Sequence, residues 1–182
     1  MTVSLSARER ILTAAHDLFY QQGIRATGVD RVIAAAGVTK VTLYRHFPSK
    51  QALVMAYLDY RHQLWMNWLD EALLRHGGPA VSPATCLTHA MQEWFTAPDF
   101  RGCAFINAVT ELAHEWPEVA VCCRAHKQDM IQRLATLHAS TSVPLWAQRA
   151  ALVVDGAIVR AQSGEPLPAL LQDVHALLGS TS

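Results

Sequence analysis

Between Gly37 and Lys50 the chain reads GVTKVTLYRHFPSK. Three cations, two threonines, a tyrosine and a histidine fall within these fourteen positions. Such side chains donate hydrogen bonds and carry positive charge, which is the chemistry that meets phosphate oxygens and the acceptors on base edges. On a helix capped by Thr39, Leu43 and Phe47 lie four apart on one face and dock with Val38 into a core. Lys40, Thr42, Arg45 and His46 are then left outside, with Tyr44 flanking them. A solvated helix face is the plainer account of the same pattern, and Tyr44 also reads as a core aromatic.

Other candidate chemistry is thinner. The chain has no G-x-S-x-G, no H-E-x-x-H and no glycine-rich phosphate loop, so no enzyme is expected. Cys86, Cys103, Cys122 and Cys123 form no C-x-x-C pair, so neither a metal nor a cofactor is expected. His114 with Cys122 or Cys123 as a metal site, and the cysteines as a thiol-based redox sensor, stay open as alternatives. Large aromatics gather between residues 62 and 111: Trp65, Trp68, Trp94, Phe95 and Phe105, with Met91. His62, His89, Asn107, Glu111 and His114 accompany them. A largely apolar cavity with a few polar groups suits a small hydrophobic or amphipathic ligand, for which we single out His62, Trp65, Trp68, Met91, Trp94, Phe95, Phe105, Asn107 and Glu111. The same spacing also describes an ordinary core.

The elements that would carry these groups are helices. Ser6 stands three residues before Glu9, a capping-box spacing, and Ile11, Leu12, Ala15, Leu18 and Phe19 recur on one face. This predicts a helix over about 7–22, ended by Gly23. A short helix with Val29, Val32, Ile33 and Ala36 ends at Gly37, its start marked by Thr27 or Gly28. A third spans about 40–47 and stops at Pro48. Helix, glycine turn, helix is the helix-turn-helix arrangement. Further helices are predicted over about 50–75, with Ser49 as cap, and over 84–97, 103–115, 117–139, 145–163 and 166–178. Residues 77–83 form a loop, Pro117 opens the seventh helix, Pro144 the eighth and Pro166 the ninth. No strand is expected. The class is all-α, with nine helices.

With these elements in place, RERILTAAHDLFYQQG and GVDRVIAAAGVTKVTLYRHFPSKQALV resemble the DNA-binding domain of the TetR/AcrR family of bacterial transcriptional regulators. The resemblance runs from Arg8 to Leu58, and its most specific piece is T-L-Y-x-H-F-x-S-K. RGCAFINAVTEL also resembles a segment in the ligand-binding half of some members. The resemblance implies a DNA-binding domain over 1–50 and a ligand-binding and dimerisation domain over 51–182. It implies that Lys40, Val41 and Thr42 read base edges, that Tyr44 and His46 contact phosphates, and that Lys50 clamps the backbone. Thr27 and Gly28 match the start of the second helix, where a hydroxyl is usual at position 28; glycine offers only its N–H. Arg25 and Arg31 are further phosphate contacts. The last two helices would pair with their twins as a four-helix bundle, through Ala150, Val154, Ala157, Ile158, Ala161, Leu167, Leu170, Leu171 and Val174; these faces also suit the protomer's own core. The implied partners are double-stranded operator DNA, a small-molecule effector and a second copy of the chain, and the implied role is a repressor. A helical adaptor without DNA binding is the rival class.

Charge fits this division. The first 50 residues carry seven Lys/Arg against three acids, a net +4, and the remaining 132 carry eight against twelve, a net −4. Half the residues are hydrophobic (51%) and 16% are charged, a globular composition. The N-terminus lacks the basic-then-apolar order of a signal peptide, and no apolar run is long enough for a bilayer. The expected location is cytoplasmic, at the nucleoid when bound to DNA, with no membrane partner.

Overall fold

The computed structural model describes residues 5–78, 80–138 and 145–180. Among them are nine α-helices and no strand: α1 Ala7–Gln22, α2 Val29–Ala36, α3 Lys40–His46, α4 Lys50–His76, α5 Pro83–Phe95, α6 Ala104–Leu112, α7 Pro117–Ala135, α8 Leu145–Gln162 and α9 Leu167–Gly179. The protein is all-α, as its sequence periodicity requires. Pro79, residue 139 and Pro144, which enter the expectations above, lie outside the described residues. No helix among the described residues is long and apolar enough to cross a membrane.

The chain forms two compact units. The first contains residues 1–63 and 104–123, the second residues 64–103 and 124–182. The expected boundary at residue 50 thus falls inside the first unit. Helices α4 and α7 each contribute their first turns to the first unit and the rest to the second.

In the first unit the capping signals act as written. Ser6 accepts from the Glu9 N–H while the Glu9 carboxylate accepts from the Ser6 N–H at 2.8 Å. These hydrogen bonds from Ser6 hold the Glu9 carboxyl below the usual carboxylate range. Helices α1, α2 and α3 pack on one another through Ile11, Ala15, Phe19, Val32, Ala36 and Leu43, all buried. Gly37 closes α2 in the left-handed region (φ 60°, ψ 44°), and its N–H and that of Val38 return to the Ile33 carbonyl. A side chain with a Cβ is strained there, so glycine makes the turn between α2 and α3.

In the second unit α5, α8 and α9 pack together. Trp146 is buried at the start of α8 and its indole N–H donates to the Leu178 carbonyl at 3.0 Å. Two helices end earlier than their periodicity suggests. Helix α7 stops at Ala135: the Thr136 hydroxyl donates to the Arg133 carbonyl, and the N–H groups of Thr136, Leu137 and His138 each bond three residues back. That tightens the last turn into a 3₁₀-type exit. Helix α6 stops at Leu112, whose carbonyl accepts from both Glu115 and Trp116.

Candidate nucleic-acid interface

Helix α3 is set by one cap and two anchors. Thr39 Oγ1 accepts from the Thr42 N–H at 3.2 Å, and the two threonine hydroxyls bond each other at 2.9 Å. Leu43 is fully buried and Phe47 nearly so, the latter with the Arg8 guanidinium 5.4 Å from its ring centre. Thr42 is half-buried, and the rest of the helix points out. Lys40, Val41, Tyr44, Arg45 and His46 are exposed, Val41 to 69% and Tyr44 to 37%. Leaving a valine that open has a cost in water, and a thymine methyl is the partner that such a side chain meets in a major groove. Tyr44 is therefore a surface residue, not a core aromatic. Arg45, to which the resemblance gives no role, shares this face.

The residues on either side of α3 divide. Gly28 is the exposed N-cap of α2, extended and without a side-chain cap, so the first-turn N–H groups of α2 are left uncapped from the side-chain side. Arg31 is exposed on α2. Thr27, by contrast, is fully buried, and its hydroxyl donates to the Gly23 carbonyl at 2.8 Å. It serves the α1–α2 loop, not the surface. Lys50 is half-buried, and its Nζ donates to the Ile24 carbonyl at 2.7 Å. Burial lowers the Lys50 pKa, Glu111 opposes that shift and Arg25 adds to it. Arg25 is held by α6 and the turn after it: its N–H donates to Glu111 Oε2 at 2.7 Å, its Nε to the Glu111 carbonyl at 2.6 Å, and its Nη2 to Glu115 Oε1 at 2.5 Å.

The residues singled out for a ligand are split between the units. His62, Phe105, Asn107 and Glu111 belong to the first. There the rings of His62 and Phe105 meet edge to face at 6.4 Å, and Glu111 is spent on Arg25. Trp65, Trp68, Met91, Trp94 and Phe95 belong to the second. The three indoles pack on each other with centroids 5.4–6.0 Å apart, and Phe95 and Phe100 extend the cluster. Trp68 Nε1 donates to Glu93, which also receives Arg75 and His76. Hydrogen bonds from Arg75, then His76, hold the Glu93 carboxyl below its ordinary value of 4.5. The indole N–H of Trp65 is buried and meets no acceptor among the described residues.

Residues singled out for a dimer mostly face inward. Ala150, Val154, Ala157, Ile158, Leu170 and Val174 are buried within the protomer, while Ala161, Leu167 and Leu171 are partly covered. The open apolar residues are others: Leu145 (57%), Leu152 (74%) and Val159 on α8, seven apart, and Leu177 on α9. The period of seven is readable in the sequence and marks this stripe better than the small residues do. A groove of about 310 Å³ runs here, lined by Leu152, Gly156, Arg160, Asp173 and Leu177 among others.

The settings of Cys86 and Cys122 disfavour a thiolate, whereas Cys103 has the Lys127 ammonium 3.6 Å from its sulfur. Burial pushes the Cys86 thiol up, and burial with the nearby Asp59 carboxylate does the same to Cys122. None of the four is in a disulfide, and among the described residues no group of His, Cys, Asp or Glu could hold a metal ion.

Comparison with known proteins agrees with this geometry. The family model "Bacterial regulatory proteins, tetR family" matches residues 11–57, which is α1 through the first turns of α4. An HTH-type transcriptional regulator in the lacX 3′ region of Lactococcus lactis subsp. lactis is 26% identical over 109 residues, 59% of this chain. The match spans only 56% of that relative's length. The crystal structure of a TetR-family transcriptional regulator from Streptomyces coelicolor superposes with a TM-score of 0.79 at 28% identity, covering 96% of this chain and 87% of that one. A cysteine mutant of the TetR-family regulator CifR, solved with 26-bp double-strand operator DNA, shares the fold with a TM-score of 0.76 at 22% identity, covering 99% of this chain and 98% of that one. All three are described as regulators of transcription, not as enzymes. Residues 11–57 thus match the tetR family of bacterial regulatory proteins, and the fold of the described residues is similar to that of the TetR-family regulator from Streptomyces coelicolor.

Proposed function

We propose that the protein is a cytoplasmic, homodimeric repressor of transcription that binds a two-fold-symmetric operator and is released from it by a small hydrophobic or amphipathic effector. The observation that carries DNA binding is the face of α3. Two buried anchors hold a helix whose other outward side chains are cations, hydroxyls and an uncovered valine. In the major groove Lys40, Val41 and Thr42 read base edges, while Tyr44, His46, Arg31 and the Gly28 N–H meet phosphates. Lys50 joins them after leaving the Ile24 carbonyl. One such helix reads too few bases for specificity, so two are needed, with half-sites roughly 34–36 Å apart or a little more. The stripe of Leu145, Leu152 and Val159 with Leu177 supports the pairing of two copies. CifR, solved on operator DNA, lends the same reading.

For the effector, the supporting observation is the aromatic cluster of the second unit and, inside it, the Trp65 indole N–H, which meets no acceptor among the described residues. A buried donor without an acceptor costs free energy that a ligand carbonyl or ether oxygen would recover. The effector shifts a population between two states only through its different affinity for each.

The test is selection and sequencing of genomic fragments bound by the purified protein at physiological salt. Recovery of a two-fold-symmetric site is expected. Failure to enrich any site, with protein freed of bound small molecules by refolding, overturns the reading.

A further inference from the structure

Two cations of the N-terminal segment, Lys50 and Arg25, donate to oxygens of the protein itself. Lys50 reaches the Ile24 carbonyl from α4, and Arg25, the residue after Ile24, is gripped by α6. We propose that Glu111 on α6 and Glu115 in the turn after it act as internal anions that compete with operator phosphate for Arg25, so that the C-terminal end of α6 restrains DNA binding through one side chain. The proposal rests on the DNA-binding reading above and adds a regulation to it.

The arrangement has the form of an anion site. The guanidinium gives its Nε to the Glu111 carbonyl at 2.6 Å and its Nη2 to Glu115 Oε1 at 2.5 Å, much as the fork would engage two oxygens of a phosphate. The Arg25 N–H is filled as well, by Glu111 Oε2 at 2.7 Å. The loop is shaped to receive that carboxylate. Gly23 has φ +88°, and a Cβ there would stand 3.3 Å from Glu111 Oε1. Glu115 is fixed in turn by the bond from its N–H to the Leu112 carbonyl, at the end of α6.

Exposure decides between a latch and a rivet. A rivet of the fold would be buried. The side chains of Arg25 and Glu115 are instead 56% and 50% exposed. Ion pairs this open to water are weak and screened by salt, so a phosphate, which is also an anion, can replace the carboxylate. The exchange is reciprocal: any displacement of the end of α6 that changes its hold on Arg25 changes operator affinity, and operator binding changes the hold on α6.

A double-mutant cycle on the operator duplex recovered by the selection above tests this, with Glu115→Gln, Arg25→Ala and the pair, titrated across salt. Wild-type binding is the control: if it is absent, the DNA-binding reading itself has failed and this proposal falls with it. Glu115→Gln is expected to tighten binding by roughly two- to fivefold per engaged Arg25, the range that an exposed ion pair commands. Arg25→Ala is expected to weaken binding and to lower the slope of log K against log salt by about 0.9 for each phosphate that the arginine no longer neutralises. In the Arg25→Ala background, Glu115→Gln should then do nothing. An equal gain in both backgrounds would mean that only bulk negative charge was removed. Unchanged affinity and slope, with a lower melting temperature, would mean a structural rivet. Either result overturns the proposal.

Discussion

Helices α3 and α8 make opposite use of their surfaces. α3 buries one of its seven residues, and α8 buries seven of its eighteen. A seven-residue helix is too short to be stable alone. α3 therefore depends on the Thr39 cap and on the Leu43 and Phe47 anchors, and gives the rest of its surface away. α8 is held by an apolar face several turns long, yet still leaves Leu152 almost bare. Exposed polar groups on α3 and exposed apolar groups on α8 both go beyond what folding needs; on the proposed reading the first face meets DNA and the second a further copy of the chain.

The sharpest way to break this comparison is at Leu43. Leu43→Ala removes the fully buried anchor and should cost about 2–5 kcal/mol, seen as a lower thermal midpoint and loss of DNA binding together. If DNA binding survives at full affinity, α3 is not the reader. A charge on the bare stripe should do the reverse. Leu152→Glu is expected to leave protomer stability within about 0.5 kcal/mol but to shift the sedimenting species from dimer to monomer. An unchanged dimer would move the interface elsewhere. Thr27→Val tests the buried hydroxyl of the α1–α2 loop. Removing its bond to the Gly23 carbonyl should cost about 1 kcal/mol while leaving the salt slope of DNA binding intact. A shallower slope would put Thr27 on DNA after all.

The smallest effect belongs to the second unit. The folded pKa of Glu93 is depressed by Arg75 and His76, so its contribution is present above about 4.5 and is lost as pH falls below that value. Glu93→Gln should lower the melting temperature slightly near neutral pH, and the difference from wild type should shrink on acidification through that window. A difference that grows toward low pH would contradict the assignment.

The outward face of α3 was legible in the sequence because it is built from local rules. A cap at Thr39, a glycine that must be left-handed at Gly37 and an i, i+4 anchor pair all lie within eleven residues, and each fixes backbone direction by short-range sterics and hydrogen bonds. Helix order and the all-α class followed from apolar periodicity in the same way. Helix ends were less legible at α6 and α7, where turns of three residues took over from the helix on hydrogen bonds that periodicity does not record.

Which side of a helix faces what was decided only by tertiary structure. Ala150, Val154 and Ile158 look the same in a sequence whether they meet their own α9 or a second copy, and packing turned them inward while leaving Leu145, Leu152 and Val159 outside. Arg25, Lys50 and Glu111 likewise have side chains suited to DNA or ligand. Their partners are set by residues 86 and 90 positions away from Arg25, or 26 from Lys50. The sequence by itself determined the helices, their caps and the outward chemistry of α3, because those depend on neighbours a few residues apart. The structure alone decided which cations are free to meet a phosphate, because that depends on where α4 and α6 come to rest against the α1–α2 loop.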